Sequence, residues 1–102
     1  MNVQALIKQQ ISENPVILYM KGSAEMPLCG FSGKAVSILK SCGVPFTTVD
    51  VLQDEAIRQG IKVYANWPTI PQLYVNGEFV GGSDIIAEMA GSGELQQLLG
   101  VV

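Results

Sequence analysis

Five consecutive apolar residues, Val16–Met20 (VILYM), constrain the fold of this chain more than any other segment. The run is far too short to cross a membrane, which requires about 20 apolar residues. Successive side chains of a β-strand point to opposite faces, so a strand that is apolar throughout must be covered on both sides. The segment therefore predicts a central strand in a sheet that carries other elements on both faces.

Amphipathic helices are predicted along much of the remaining chain. They are expected over residues 2–13 and 30–41, from a cap at Asp54 to Ala65, from the turn at 81–84 to Ala90, and over 94–99 after a cap at Ser92. The second helix has one apolar stripe that is expected to face the core, and it consists of Phe31, Ala35, Ile38, Leu39 and Cys42. Gly43 would end that helix.

Three further strands complete the predicted sheet. The segment 46–51 is one, and Gln72–Val75 and 78–80 flank Asn76-Gly77, the strongest short-range signal for a β-hairpin. The resulting order, αβαβαββαα, predicts an α/β fold with a mixed sheet of about four strands and helices on both faces. A length of 102 residues suits one domain, 1–102.

Composition and charge argue against several classes of function. A net charge of −3 disfavours nucleic acid as a partner, because binding to phosphates needs clustered basic residues. The chain has no histidine and two cysteines, so it cannot form a Cys–His pair or complete a four-ligand zinc site by itself. The amino-terminal MNVQALIKQQ lacks a secretory pattern, which predicts a soluble cytoplasmic protein with no membrane span and leaves a processed organelle form open.

Cys29 is the candidate reactive residue, because it lies where a loop enters the second predicted helix. Unpaired amides and the positive end of the helix dipole favour an anion there, so an accessible thiol would have a lowered pKa. Lys21, at the start of the same loop, would add positive charge. The alternative is a buried cysteine that acts as a small apolar residue, although Pro27 and Gly30 indicate a shaped turn instead.

The second cysteine and the residue three positions after Cys29 limit what the thiol can do. Cys42 continues the apolar stripe and lies about 20 Å further along the helix, too far from Cys29 for a disulfide. Ser32 occupies the position of the second cysteine in a C-x-x-C site. Its hydroxyl could bond the thiolate or merely begin the helix, and in either case disulfide chemistry needs a thiol from another molecule.

Two segments are candidates for binding a small anionic peptide. Arg58 and Lys62 share one face of the third predicted helix, and the alternative is an ordinary solvated basic face. The turn at 81–84, Gly-Gly-Ser-Asp, would present free amides to a carboxylate, or it would form a plain glycine turn capped by Asp84.

The segment before the third strand has two further candidates. Trp67 either packs in the core or borders a site. If the peptide bond before Pro71 were cis, the backbone of Ile70 would face outward and could pair with a ligand peptide as an added strand. The sequence by itself does not decide between the two isomers.

Taken together, these segments resemble one known family. KGS at 21–23, CGFS at 29–32, WPTIPQLY at 67–74 and GGSD at 81–84 follow the pattern and order of the monothiol, CGFS-type glutaredoxins, and the resemblance covers nearly the whole chain. The short single-domain form is similar to the bacterial and organelle class. The resemblance implies the thioredoxin fold, with Pro71 as a cis proline that faces the cysteine.

The resemblance also implies a site, its ligands and its partners. Glutathione would be held by residues of four segments, namely Lys21, Arg58, the backbone of Ile70 beside Pro71, and the helix start at Ser83 and Asp84. Lys62 would be a possible further contact. Cys29 would be the catalytic thiol and would ligate a [2Fe–2S] cluster that bridges a homodimer. The implied partners are a second copy of the chain, BolA-type proteins and apoproteins that accept the cluster.

The main functional expectation is a glutathione-dependent [2Fe–2S] carrier in iron–sulfur assembly and iron homeostasis, with at most weak enzymatic activity. A monothiol oxidoreductase that acts on glutathione mixed disulfides is the alternative, and a redox-inert partner-binding module is a third possibility. Two residues depart from the family pattern. Ala24 replaces a loop proline, which puts loop rigidity in question, and Ser83 replaces a cysteine found in many relatives, which removes any accessory thiol there.

Overall fold

The alternation of helices and strands along the chain matches the predicted order. The structure is a computed structural model that describes residues 2–101. In this part of the chain the helices are α1 (Val3–Glu13), α2 (Gly30–Cys42), α3 (Glu55–Ala65), α4 (Ser83–Ser92) and α5 (Glu94–Leu98), and the strands are β1 (Val16–Met20), β2 (Thr47–Asp50), β3 (Gln72–Val75) and β4 (Glu78–Gly81). None of these helices is long and apolar enough for a membrane span.

The four strands form one mixed sheet in the order β2-β1-β3-β4. Strand β1 pairs in parallel with β2 and antiparallel with β3, which confirms its predicted central position. The hairpin between β3 and β4 turns at Asn76 and Gly77, whose φ angles of 51° and 86° are both left-handed, as a two-residue hairpin turn requires.

Two apolar clusters cover the two faces of the sheet. Because neighbouring residues of β1 alternate between faces, Leu18 and Met20 join the cluster formed with α2, α4 and α5, whereas Ile17 and Tyr19 join the cluster formed with α1 and α3. Helices therefore lie on both faces, as expected. Cys29 is the N-cap residue directly before α2, so it lies at the start of a helix that packs on the sheet.

Among the boundaries that differ from the prediction, two involve side chains that bond to the backbone. Strand β2 ends at Asp50, and Val51–Gln53 forms a short 3-10 turn, because the Asp50 carboxylate accepts the amide of Leu52 at 3.0 Å. Ser92 does not cap α5. It is the last residue of α4, and Gly93 precedes α5, although the Ser92 hydroxyl accepts the Glu94 amide at 3.3 Å.

Candidate functional site

A tightly closed loop, 21–28, delivers Cys29 to the start of α2. The amide of Leu28 donates to the carbonyl of Lys21 at 2.9 Å, and reciprocal bonds between Ser23 and Met26 of 3.1 and 3.2 Å close the loop inside that pair. Gly22 has a φ of 89° and donates its amide to the Asp50 carboxylate at 2.9 Å. The loop is therefore held by backbone bonds despite the absence of a proline at position 24.

Cys29 lies half-buried in extended backbone as the N-cap of α2, and its thiol makes no side-chain capping bond. The pKa of the Cys29 thiol is nevertheless lowered, chiefly because the backbone amide of Ser32 stabilises the thiolate. Partial burial opposes this effect, and the amide of Phe31, the hydroxyl of Ser32 and the charge of Lys21 reinforce it. Cys29 is thus an activated thiol rather than a core residue.

Ser32 connects the loop to the helix in addition to facing the thiolate. Its side chain is fully buried, and its hydroxyl oxygen accepts the amide of Lys21 at 3.1 Å. Of the two roles open from sequence, a role toward the thiolate is favoured, since the hydroxyl contributes to the lowered pKa of Cys29. A second role, which the sequence did not reveal, is to fix Lys21 beside the same thiol.

The pH dependence of alkylation tests this environment. The thiolate is the reactive form, and stabilising it lowers the pKa, so reactivity should persist to lower pH than for an ordinary thiol. In a Cys42→Ala background, we expect the rate of reaction with iodoacetamide to rise with pH at a midpoint below that of glutathione. Ser32→Ala should raise the midpoint only in part, because the backbone amide of residue 32 is retained. A midpoint at or above that of glutathione would contradict the assignment.

Two adjacent cavities open beside Cys29 and share the wall formed by Phe31, Thr69 and Ile70. The first, which we call the thiol cavity, has a volume of about 280 Å³ and is lined by Lys21, Cys29, Phe31, Lys62, Pro68, Thr69 and Ile70. The second, the helix cavity, has a volume of about 210 Å³ and is lined by Phe31, Trp67, Thr69, Ile70, Pro71, Gly82, Ser83, Asp84 and Ile85. Together they form a groove that leads from the thiol to the start of α4.

The floor of this groove presents unpaired backbone. The peptide bond between Ile70 and Pro71 is cis, as the resemblance implied. Within residues 2–101, neither the amide nor the carbonyl of Ile70 makes a hydrogen bond, although the Ile70 side chain is buried. Because buried or partly buried backbone groups are nearly always paired, these two groups are available to a bound peptide.

The far end of the groove is the amino terminus of α4. Gly82 is the N-cap and offers no side chain, and Asp84 lies in the first turn, so the alternative of a turn capped by Asp84 does not hold. The hydroxyl of Ser83 is buried and has no hydrogen-bond partner in the described part of the chain. Unpaired amides at a helix start, with an unpaired hydroxyl beside them, suit a carboxylate.

The two basic residues of α3 are placed differently from one another. Lys62 lines the thiol cavity, although it was expected only as a possible contact to glutathione. Arg58 lines neither cavity, and one of its terminal nitrogens lies 3.6 Å from the Glu55 carboxylate. The Nε atom of Arg58 is buried without a partner in residues 2–101, so the side chain keeps one unused donor.

Phe31 is the residue of this site whose burial was most clearly predicted wrongly. It was expected on the buried stripe of α2, yet it is 64% exposed and lines both cavities. Met26 and Leu28 are similarly exposed, at 70% and 61%, on the loop that precedes Cys29. These three exposed apolar side chains lie within three residues of Cys29 along the chain, and we call them the apolar rim.

Trp67 borders the site rather than the core. It is 38% exposed, lines the helix cavity and packs its ring against Phe79 at 5.7 Å. Thr69 and Ile85 are further lining residues that the sequence did not single out, because nothing in their local pattern distinguishes them from turn and core residues.

Cys42 is a core residue, as predicted. It is 7% exposed and belongs to the cluster of α2, α4 and α5, at the opposite end of α2 from Cys29. Across residues 2–101, no group of three or more histidine, cysteine, aspartate or glutamate side chains converges on a common point.

Known proteins resemble this chain in sequence and in fold. A family model described as Glutaredoxin matches residues 16–80. The chain is 59% identical over 98 residues to an uncharacterized monothiol glutaredoxin, ycf64-like, of Synechocystis, across 96% of this chain and 92% of the relative. It is 58% identical over 93 residues to Glutaredoxin 4 of Escherichia coli, across 91% and 81% of the two chains.

A solved structure agrees with these relatives. The solution structure of reduced poplar apo GrxS14 superimposes with a TM-score of 0.83 at 46% identity, across 95% of this chain and 89% of the other. The chain therefore belongs to the glutaredoxin family and has the thioredoxin fold. Its Cys29-Gly30-Phe31-Ser32 motif and its relatives place it among the monothiol, CGFS-type members, as the resemblance implied.

Proposed function

We propose that this glutaredoxin carries [2Fe–2S] clusters to acceptor apoproteins and uses glutathione as a co-ligand. Cys29 is the one accessible thiol of a chain with two cysteines, and this observation carries the proposal. Ser32 fills the position of a resolving cysteine, and Cys42 is buried in the core. A thiolate that is activated but lacks a partner thiol in its own chain is suited to a site completed by other molecules.

The groove beside Cys29 has the features that bound glutathione would require. Lys21 and Lys62 offer positive charge for the glycine carboxylate in the thiol cavity, and the unpaired backbone of Ile70 could bond the central cysteine as an added strand. The amides at the start of α4 and the hydroxyl of Ser83 would receive the glutamate carboxylate. Arg58 remains part of the proposed site only if its side chain leaves Glu55 and turns toward the groove.

The number of thiolates follows from the chemistry of the cluster. A [2Fe–2S] cluster commonly takes four thiolate ligands. One Cys29 from each of two subunits and one glutathione thiol bound beside each would complete the set. Because two of these ligands are diffusible, the cluster could be released to an acceptor more readily than from four protein cysteines.

The apolar rim of Met26, Leu28 and Phe31 supports a partner surface around the cluster. In the proposed homodimer the rims of two subunits would face each other and exclude water from the cluster. BolA-type proteins and acceptor apoproteins would use the same exposed face once one subunit leaves. The proposed compartment is the cytoplasm, where thiols are kept reduced.

The lowered pKa of Cys29 also favours a second function, reduction of glutathione mixed disulfides. The Cys29 thiolate would attack the glutathione sulfur, form a Cys29–glutathione disulfide and release the substrate as a thiolate. A second glutathione thiolate would then attack that disulfide, releasing oxidised glutathione and regenerating Cys29. We expect this activity to be weak.

Anaerobic reconstitution with iron, sulfide and glutathione tests the carrier proposal. We expect visible cluster absorbance that coelutes with a dimer. S-methylglutathione is the matched control, because it keeps both carboxylates but lacks a free thiol, so it should occupy the groove without supporting a cluster. Equal cluster yield with the blocked peptide, or with no peptide at all, would refute the role of glutathione, and a monomer that never holds iron would refute the carrier function.

A further inference from the structure

Gln72 is a buried polar side chain at the first position of β3, directly after Pro71. It is fully buried, and its amide nitrogen donates to the carbonyls of Trp67 and Thr69, both at 3.2 Å. Its amide oxygen accepts the hydroxyl of Tyr74 at 2.9 Å. Every polar atom of this side chain is thus hydrogen-bonded.

The orientation of this amide is fixed by its neighbours. Backbone carbonyls only accept hydrogen bonds, so the nitrogen of Gln72 must face Trp67 and Thr69. The oxygen then needs a donor, and Tyr74 can serve because burial raises the pKa of its phenol and keeps it protonated. The network therefore has a single arrangement that satisfies all of its members.

The loop that this network holds forms a wall of both cavities. At its start, the amide of Trp67 donates to the carbonyl of Lys62 at 3.0 Å, and at its end Pro71 has no amide to donate. In the described part of the chain, Gln72 makes the only hydrogen bonds to the carbonyls of residues 67–70. Within residues 2–101, the hydrogen bonds that hold the carbonyls of this loop therefore come from one buried side chain.

We propose that Gln72 is a positioning residue for glutathione, acting through the carbonyls of Trp67 and Thr69. Its amide nitrogen binds those two carbonyls on the buried side of the loop. This arrangement would shape the cavity wall and leave the neighbouring backbone groups of Ile70 free for the ligand. This role rests on the proposed binding of glutathione in the groove. Gln72 itself would not touch the ligand, because its side chain is enclosed by the loop and the sheet.

Gln72→Met tests the role, because methionine has similar length and volume but no donors. S-methylglutathione binding, measured by calorimetry, should weaken by about fivefold to tenfold. This factor corresponds to the net free energy of about one hydrogen bond. Trp67 is the sole tryptophan of the chain, so its fluorescence reports the loop directly. We expect greater acrylamide quenching of Trp67 in the variant.

Val75→Ala is the matched control for general destabilisation. Val75 lies on the same strand and is buried, but it packs into the cluster on the opposite face of the sheet. It should lower the melting temperature while leaving peptide affinity and Trp67 quenching unchanged. Tyr74→Phe removes the outer bond and keeps both loop bonds, so it should give a smaller loss of affinity than Gln72→Met.

Gln72→Glu adds a pH readout that a purely structural role would not show. A buried carboxyl has a raised pKa, and only its protonated form can donate to a loop carbonyl. Binding by this variant should therefore improve, relative to the parent protein, as the pH falls from about 8 to about 5.5. S-methylglutathione has no free thiol to titrate in that range.

The outcomes separate this inference from the proposed function. If the parent protein binds S-methylglutathione and Gln72→Met binds equally well, or loses no more affinity than Val75→Ala, the positioning role is overturned. If the parent protein does not bind the peptide, the proposed function fails. Trp67 quenching then still decides whether Gln72 holds the loop.

Discussion

Cys29→Ser is expected to yield a protein that holds no iron–sulfur cluster and stays monomeric after anaerobic reconstitution with glutathione. A serine hydroxyl remains protonated near neutral pH and does not replace the thiolate that such clusters require. The fold should be unaffected, because the thiol is half-buried at the start of α2 and makes no capping bond there. Iron and sulfide content, visible absorbance and size-exclusion chromatography would report the result.

Cys42→Ala is the control, because it removes the other thiol from the core cluster at the far end of α2. It should lose some stability but keep the cluster and the dimer. Loading of iron by Cys29→Ser, or an equal loss in both variants, would contradict the assignment. If partner proteins bound Cys29→Ser as well as they bind the parent protein, with or without iron, the redox-inert binding module would be supported instead.

Local patterns were sufficient for the elements that build the fold. The apolar run of β1 indicates a strand that is covered on both faces, and the Asn76-Gly77 pair indicates a left-handed two-residue turn. Both signals come from neighbouring residues, and both predictions are confirmed. The end of β2 was predicted wrongly, and only part of the reason is local to the strand. The Asp50 carboxylate accepts the amide of Leu52, two residues later, and also the amide of Gly22, which precedes it by 28 residues. Only the second of these bonds is beyond the reach of a local pattern.

Phe31 shows the limit of helical periodicity. Its spacing places it on the same stripe as Ala35 and Leu39, which are fully buried. Phe31, however, lies in the first turn of α2 and is not part of the core cluster that Ala35 and Leu39 join, and it lines the two cavities beside Cys29 instead. Periodicity identifies the face of a helix that packs, but it does not indicate where the neighbouring layer ends.

The placement of Arg58 and Lys62 depends on how α3 docks. The helix approaches α1 closely at Gly60, where an added Cβ would lie 3.1 Å from side-chain atoms of both Ile7 and Val3. With α3 packed against α1 in this way, Lys62 lines the thiol cavity and Arg58 does not. The basic face was visible in the sequence, but its register relative to the groove was not.

Gly22→Ala is expected to be among the most damaging single substitutions in the loop that carries the site. Gly22 has a φ of 89°, in the left-handed region that residues with a Cβ rarely adopt. An added Cβ would lie 2.5 Å from the carbonyl oxygen of Met26 and 2.6 Å from the amide nitrogen of Leu28. Both are backbone atoms, which cannot rotate aside as a side chain can, so the loop must open.

Gly43→Ala is the matched control for the backbone conformation alone. Gly43 ends α2 with a φ of 75°, and an added Cβ there would meet no atom within 4 Å. Its substitution should therefore lower the free energy of unfolding by about 1–2 kcal/mol, the penalty for a residue with a Cβ in the left-handed conformation. Gly22→Ala should cost at least about 2 kcal/mol more in urea denaturation, because it adds two backbone clashes to a similar conformational penalty.

The same substitution should also change the chemistry of Cys29, because the loop holds Lys21 and the helix start together. Opening it breaks the bond from the Gly22 amide to Asp50 and disturbs the bond from Leu28 to Lys21. The pKa of the Cys29 thiol should then rise in part, because the charge of Lys21 is displaced while the backbone amide of Ser32, the main cause of the lowered pKa, is retained. Alkylation at neutral pH should therefore slow in Gly22→Ala and not in Gly43→Ala. Equal losses of stability in the two variants would show that the loop tolerates a Cβ at residue 22. Unchanged alkylation would show that the closed loop does not contribute to the lowered pKa of the thiol.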